Sequence, residues 1–196
     1  MAKIILGRTG LEIEKNGFGA LPIQRDDFDE SAYLLRKAYE NGINFIDTAR
    51  AYTDSEEKIA YAFKGFNEEY PRESIIIATK TQGEDRKTIE NDIKTSLDNL
   101  GTDYIDLYQV HNPNAKDLET VTAAGGALEA LQKAKAAGKI GHIGITLHSL
   151  ELFQKALDFD WVETIMFPYN IVETQGEKLI RKCAEKNIGF IAMKPL

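Results

Sequence analysis

The sequence predicts an α/β fold, a (β/α)8 TIM barrel that is incomplete at its C-terminal end. Three observations carry that expectation. Short β-rich runs alternate with amphipathic helical stretches along the whole chain. Several of the runs are apolar almost throughout, as parallel strands covered on both faces are. Gly42, Gly101 and Gly138 each close a helix just ahead of a strand, the short connection that right-handed parallel crossovers need.

The elements follow in order. A weak first strand lies near Asn16-Gly-Phe-Gly-Ala-Leu. Six clearer ones follow: Ile43–Thr48, Ser74–Thr79, Tyr104–Val110, His142–Thr146, Thr164–Phe167 and Gly189–Met193. Between them, Asp29–Asn41 carries Ala32, Leu35, Ala38 and Tyr39 on one stripe and stops at Gly42. Asp54-Ser-Glu-Glu57 reads as a capping box that opens a helix closed by Gly65. Asp85–Leu100, Asp117–Ala137, Ser149–Asp158 and Glu177–Asn187 complete six helices against seven strands. Ala123-Ala-Gly-Gly126 weakens the fourth helix and marks a bend or break.

Two architectures accept this alternation. A doubly wound sheet should show a glycine-rich phosphate turn after its first strand. Gly17-Phe-Gly-Ala-Leu-Pro is too poor in glycine and leads into no early helix, so the barrel is preferred. A complete barrel usually takes ~250 residues. Here 196 residues stop directly after the seventh strand, so the expectation is one domain, 1–196, with its C-terminal part missing. Unpaired edges at the first and seventh strands would then favour self-association.

Composition narrows the function. Apolar residues make up 43% and charged residues 28%, which excludes a disordered tail, a collagen-like repeat or a disulfide-stapled miniprotein. The net charge of −7 argues against a nucleic-acid partner. Cys183 is the one cysteine, so neither an internal disulfide nor a thiolate metal site can form, and His111, His142 and His148 are too scattered for zinc. The start is too short for a signal segment, and no apolar run approaches the ~18 residues of a membrane span. These features read as a soluble, cytoplasmic protein with no membrane partner.

Barrel chemistry sits at the C-terminal ends of the strands. Asp47 ends the second strand, with Tyr52 five residues on in the following loop; Lys80 ends the third and His111 the fourth. Singly, each has an ordinary explanation: a lysine meeting solvent, a histidine or aspartate closing a strand, a core tyrosine. Together they gather ionisable groups on one face, where burial is costly unless they pair. A tyrosine hydroxyl titrates near ~10 and needs help to act as an acid at neutral pH. A nearby ammonium favours the phenolate, a carboxylate holds the ammonium, and a neutral imidazole can donate to a carbonyl oxygen. Such a set suits carbonyl reduction with hydride from a cofactor, since no side chain supplies hydride.

These residues lie in segments that resemble the aldo-keto reductases: Gly42-Ile-Asn-Phe-Ile-Asp-Thr-Ala-Arg-Ala-Tyr52, Ile76-Ile-Ala-Thr-Lys80, Leu100-Gly-Thr-Asp-Tyr-Ile-Asp-Leu-Tyr-Gln-Val-His111, Gly138-Lys-Ile-Gly-His-Ile-Gly-Ile-Thr146 and Phe167-Pro-Tyr-Asn170. They keep the family's order over almost the whole chain. Phe-Pro-Tyr-Asn followed by Ile191-Ala-Met-Lys-Pro-Leu196 is most similar to a bacterial and archaeal branch whose members often carry a C-terminal iron–sulfur segment.

The resemblance implies that Tyr52 is the general acid, that Lys80 lowers its pKa, that Asp47 positions Lys80 and that His111 orients the carbonyl of a small substrate. It implies NADPH or NADH across the barrel mouth, NADPH being favoured. Gly19, Ala20 and Asp47 would approach the cofactor, Thr146 would bond its carboxamide, Met166 and Met193 would flank the nicotinamide, and Lys194 and Leu196 would begin the loop past the pyrophosphate. The chain departs from the family at Leu147, commonly Asn, at Met166, commonly Gln, and at Met193, often aromatic. An iron–sulfur cluster would need a segment beyond these residues, since Cys183 alone cannot hold one. Two other readings stay open: a cofactor-sensing or scaffold protein with little turnover, and a lyase or aldolase using Lys80 for a Schiff base. His142, His148 and Trp161 read as structural or surface residues.

Overall fold

The structure is a computed structural model that describes residues 3–195. Leu196 lies outside the described residues. Its centre is a seven-stranded parallel sheet whose strands stand in chain order. These are β3 (Phe18–Gly19), β4 (Phe45–Asp47), β5 (Ile76–Thr81), β6 (Ile105–His111), β7 (Ile140–Thr146), β8 (Thr164–Pro168) and β9 (Gly189–Met193). A separate antiparallel hairpin, β1 (Lys3–Ile5) and β2 (Glu12–Glu14), precedes it. No pairing joins β3 to β9 among the described residues, so the barrel wall is partial. No helix among them is long and apolar enough to cross a membrane.

Seven α-helices surround the sheet: α1 (Phe28–Glu40), α2 (Ser55–Ala62), α3 (Arg86–Leu100), α4 (Ala115–Thr122), α5 (Ala127–Ala136), α6 (Leu150–Ala156) and α7 (Glu177–Glu185). The expected six become seven because the helix read as Asp117–Ala137 is broken at the Ala123–Gly126 stretch. The break has a packing cause. A Cβ at Gly126 would stand 2.3 Å from the Thr120 carbonyl oxygen, so the chain can fold back on α4 there only without a side chain. Local chemistry sets other ends. Asp27, Asp85 and Ser149 accept backbone N–H groups at the starts of α1, α3 and α6, and Asn114 with Asp117 forms a reciprocal cap on α4. Gly101 closes α3 at φ +62°, a left-handed position suited to glycine.

The capping box expected at Asp54–Glu57 does not form. Asp54 precedes α2 without a side-chain cap, its carboxylate being drawn 2.9 Å to Lys58. Glu57 stays exposed, while Glu56 is buried. The helix also ends before the expected stop, at Ala62 rather than Gly65.

Two apolar layers hold the fold. The larger lies between helices and sheet, from Leu35 and Ile59 through Ile77, Tyr108 and Ile145 to Phe153 and Phe167. The smaller fills the barrel interior: Phe45, Ala78 and Leu107 meet Leu6 and Ile13 from the hairpin. The hairpin is tied below β4 by the Glu14 N–H on Asn44 Oδ1, 2.7 Å. It closes the N-terminal end of the strands, which leaves the C-terminal end as the mouth.

Candidate active site

Strand register gathers the expected residues at that mouth. Gly19 is paired with Asp47, Lys80 with Gln109, His111 with Thr146, and Thr146 with Met166. Asp47, Lys80, His111 and Thr146 stand at or next to the C-terminal ends of their strands, so their side chains emerge at one level.

Lys80 is almost fully buried, 1% exposed. Its ammonium donates to Asp47 Oδ2 at 2.7 Å and to the Thr48 carbonyl at 2.6 Å. It also lies over the Tyr52 ring, 4.9 Å from the centroid. The Tyr52 and His111 rings meet edge to face, 6.1 Å between centroids and 84° between planes. The four residues expected to act together therefore form one cluster.

The loop between β4 and α2 carries Tyr52. Its backbone is fixed by the Arg50 N–H on the Lys80 carbonyl, 2.9 Å, and the Tyr52 N–H on the Ala49 carbonyl, 3.0 Å. Thr53 then takes φ +44°, an uncommon left-handed position for a β-branched residue.

Electrostatics follow from burial. Burial pushes the His111 imidazole down to about 4, with the Lys80 charge and His148 adding to the effect. The ring is therefore neutral at neutral pH, with one N–H to give. Its buried Nδ1 has no partner among the described residues. Burial draws the Asp47 carboxyl above its ordinary value, against the Lys80 charge and hydrogen bond and the bond from Gln109.

The residues expected at a cofactor take varied positions. Gly19 is exposed. Ala20 is fully buried, its N–H on the Asp47 carbonyl at 2.8 Å and its carbonyl accepting from Ser55 Oγ at 3.1 Å, so its backbone is already engaged. Thr146 is buried, and its Oγ1 accepts the Asn112 N–H at 2.9 Å. Among the described residues no acceptor takes the hydroxyl hydrogen, which can therefore donate. Met166 is buried, Met193 half-buried and Lys194 exposed in a left-handed turn at φ +53°. The Asn170 amide holds that turn by donating to the Lys194 carbonyl at 3.0 Å.

Sequence reasoning missed two neighbours. Gln109 is fully buried beneath His111, and its Nε2 donates to Asp47 Oδ1 at 3.3 Å. A glutamine two residues before His111, on the same face of an apolar strand, was the available signal. Asn112 stands beside His111 and borders a cleft of about 450 Å³ with Pro113, Asn114, His148, Ser149 and Leu152. A second cleft, lined by Phe66, Arg72, Leu97 and Thr102, lies at the other end of the strands.

Comparison with known proteins shows the family. The family model described as "Aldo/keto reductase family" matches residues 3–196. "Aldo-keto reductase YhdN" of Bacillus subtilis is 33% identical over 91% of this chain and 57% of its own length. "L-galactose dehydrogenase" of Arabidopsis thaliana is 31% identical over 97% of this chain and 64% of its own length. "NADH-specific methylglyoxal reductase" of Escherichia coli is 27% identical over all of this chain and 68% of its own length. Among solved structures, the holo form of aldo-keto reductase AKR11C1 from Bacillus halodurans superimposes with a TM-score of 0.84 at 28% identity, covering 98% of this chain and 65% of that one. The chain thus spans roughly three fifths of the first two relatives. With the family match running across every strand of the partial barrel and every residue of the cluster, the chain belongs to the aldo/keto reductase family.

Proposed function

We propose that this chain carries the acid–base centre of an NAD(P)H-dependent reductase that converts a small aldehyde or ketone to an alcohol. One observation carries the reading: the buried Lys80 ammonium, held by Asp47 at 2.7 Å, faces the Tyr52 ring, with His111 against the same ring. Tyr52 gives its proton to the carbonyl oxygen as negative charge develops there. Lys80 faces the phenolate left behind, and Asp47 keeps the lysine from swinging away. The neutral His111 ring donates to the same oxygen and orients it. The cleft bordered by Asn112, the residue after His111, and by His148 is the candidate place for the remainder of a small substrate.

A reduced nicotinamide cofactor supplies hydride when bound. The residues present fit its nicotinamide end. The Thr146 hydroxyl retains a hydrogen for a carboxamide, Met193 offers an apolar surface and Lys194 a cation at the mouth. Family membership supports a nicotinamide cofactor in general, and the name of the Escherichia coli relative makes NADH as worth testing as NADPH.

The test is to follow cofactor absorbance with NADPH, then NADH, and methylglyoxal as the first carbonyl, for the chain and for Tyr52→Phe. Turnover that falls at least ~100-fold in Tyr52→Phe supports the proton-donor role. Full turnover in the variant overturns it.

A further inference from the structure

The chemistry above leaves a buried carboxylate beside the Tyr52 loop unused. Glu56, at the start of α2, is 1% exposed and its carboxylate accepts four hydrogen bonds. Thr79 Oγ1 and Ser96 Oγ each reach Oε1 at 2.7 Å. Arg50 Nη1 reaches Oε2 at 2.7 Å and Asn99 Nδ2 reaches it at 3.2 Å. These donors have three origins. Arg50 belongs to the loop that carries Tyr52. Thr79 is the residue before Lys80 on β5. Ser96 and Asn99 lie on α3.

We propose that Glu56 is a positioning residue, which fixes the Tyr52 loop, through Arg50, against the strand that carries Lys80, through Thr79. This deepens the reading of Tyr52 as proton donor and rests on it. The physical case has three parts. Burying a carboxylate is costly unless its lone pairs are filled, so the four donors hold Glu56 in one place. The Arg50 guanidinium makes its one hydrogen bond to Glu56 among the described residues, its Nε being buried without a partner. The loop itself is strained at Thr53, φ +44°, and such a conformation persists only where its surroundings impose it. Releasing Arg50 lets the loop relax away from Lys80, and displacement by about 1 Å can cost about 100-fold in rate.

The experiment compares Glu56→Gln and Arg50→Met in the full chain. The expected result is a kcat about 10- to 100-fold lower with KM and cofactor Kd within about 3-fold, the split of a lost geometry rather than a lost binding contact. In a Tyr52→Phe background the same substitutions should cost less than about 3-fold further, because they act through Tyr52. Amide hydrogen exchange adds a readout that needs no turnover. The Arg50 amide, bonded to the Lys80 carbonyl, should exchange at least about 10-fold faster in the variants while β6 and β7 amides hold their protection.

An unchanged kcat, a loss fully additive with Tyr52→Phe, or unchanged Arg50 exchange overturns the proposal. So does loss of protection across the whole sheet in both variants, which marks a purely structural role. Arg50 is partly exposed, so Arg50→Met decides the matter if Glu56→Gln does not fold. If Tyr52→Phe alone keeps full turnover, the proton-donor reading fails instead, and Arg50 exchange still judges the loop anchor.

Discussion

Lys80 and Asp47 meet diagonally across two strands. Asp47 is in register with Ala78, two residues short of Lys80, yet the ammonium and Oδ2 are 2.7 Å apart. The pair crosses the floor of the mouth, with one partner nearly buried and the other 16% exposed at its side chain. Such a pair is held by geometry, and each partner makes the other tolerable in a poorly solvated place.

Removing one charge should therefore cost more than a surface pair would. Asp47→Asn keeps an acceptor for Lys80 but no countercharge. Lys80 then keeps its buried charge with a weaker partner, and a loss of about 1–3 kcal/mol in unfolding free energy is expected, less than for a fully favourable buried pair because burial already disfavours the Asp47 carboxylate. Turnover should fall with it. Urea unfolding checks this, and a midpoint equal to the parent's would mean that water already screens the pair.

His111 sets a pH dependence with a definite sign. Its folded value is about 4, below the ~6.5 of an unfolded histidine. The unfolded chain therefore binds the proton more readily, and the stability this creates is present above ~6.5 and lost as pH falls toward 4. An NMR titration of the His111 ring should give a midpoint near 4. The acid limb of kcat/KM should owe nothing to His111 between pH 5 and 7. A midpoint at the ordinary value would show the ring to be solvated.

Glu163 offers the matching acid case away from the mouth. Burial raises its carboxyl, but His142 at 2.7 Å, Lys135 and the Ile143 N–H at 2.9 Å outweigh this and hold it near 2. Its contribution to stability is full above ~4.5 and disappears as pH falls toward 2. Glu163→Gln should cost about 1 kcal/mol at neutral pH, because it leaves part-buried donors with one acceptor oxygen fewer. It should also flatten the acid-unfolding curve between those values. A curve as steep as the parent's would assign the acid transition to other groups.

Much of this was legible in the chain because the signals were local. Asp47, Lys80 and His111 each fall at or next to the C-terminal end of a largely apolar strand, a pattern visible without any contact information. Gly101 ends α3 where its sequence position says it should. What was missed depends on partners far away in the chain. Glu56 lies inside the stretch Asp54–Glu57 that reads as a capping box, yet it serves donors as distant as Ser96 and Asn99. The hairpin was missed because its strands have three residues each, and Ile4 and Ile5 are exposed, so no apolar run announces them. The break between α4 and α5 was readable as a weakness at Gly126, but its cause is the approach to the Thr120 carbonyl.

Gln109 gives a prediction in which stability and activity move apart. It is fully buried, its Nε2 donates a 3.3 Å hydrogen bond to Asp47, and its Oε1 has no partner among the described residues. Burying an unpaired carbonyl costs about 1–3 kcal/mol, more than a long hydrogen bond of about 1 kcal/mol returns. A residue kept solely for stability would not be chosen here. Gln109→Leu, close in size, should leave unfolding free energy unchanged or raise it by about 1 kcal/mol. Without its amide donor, Asp47 is freer to turn and holds Lys80 less firmly, so kcat should fall by about 3- to 30-fold with cofactor binding retained. Thermal unfolding and steady-state kinetics on the same preparation decide it. A variant that loses more than about 2 kcal/mol would show that Oε1 is satisfied in solution, and one with full kcat would show that Lys80 alone orients Asp47.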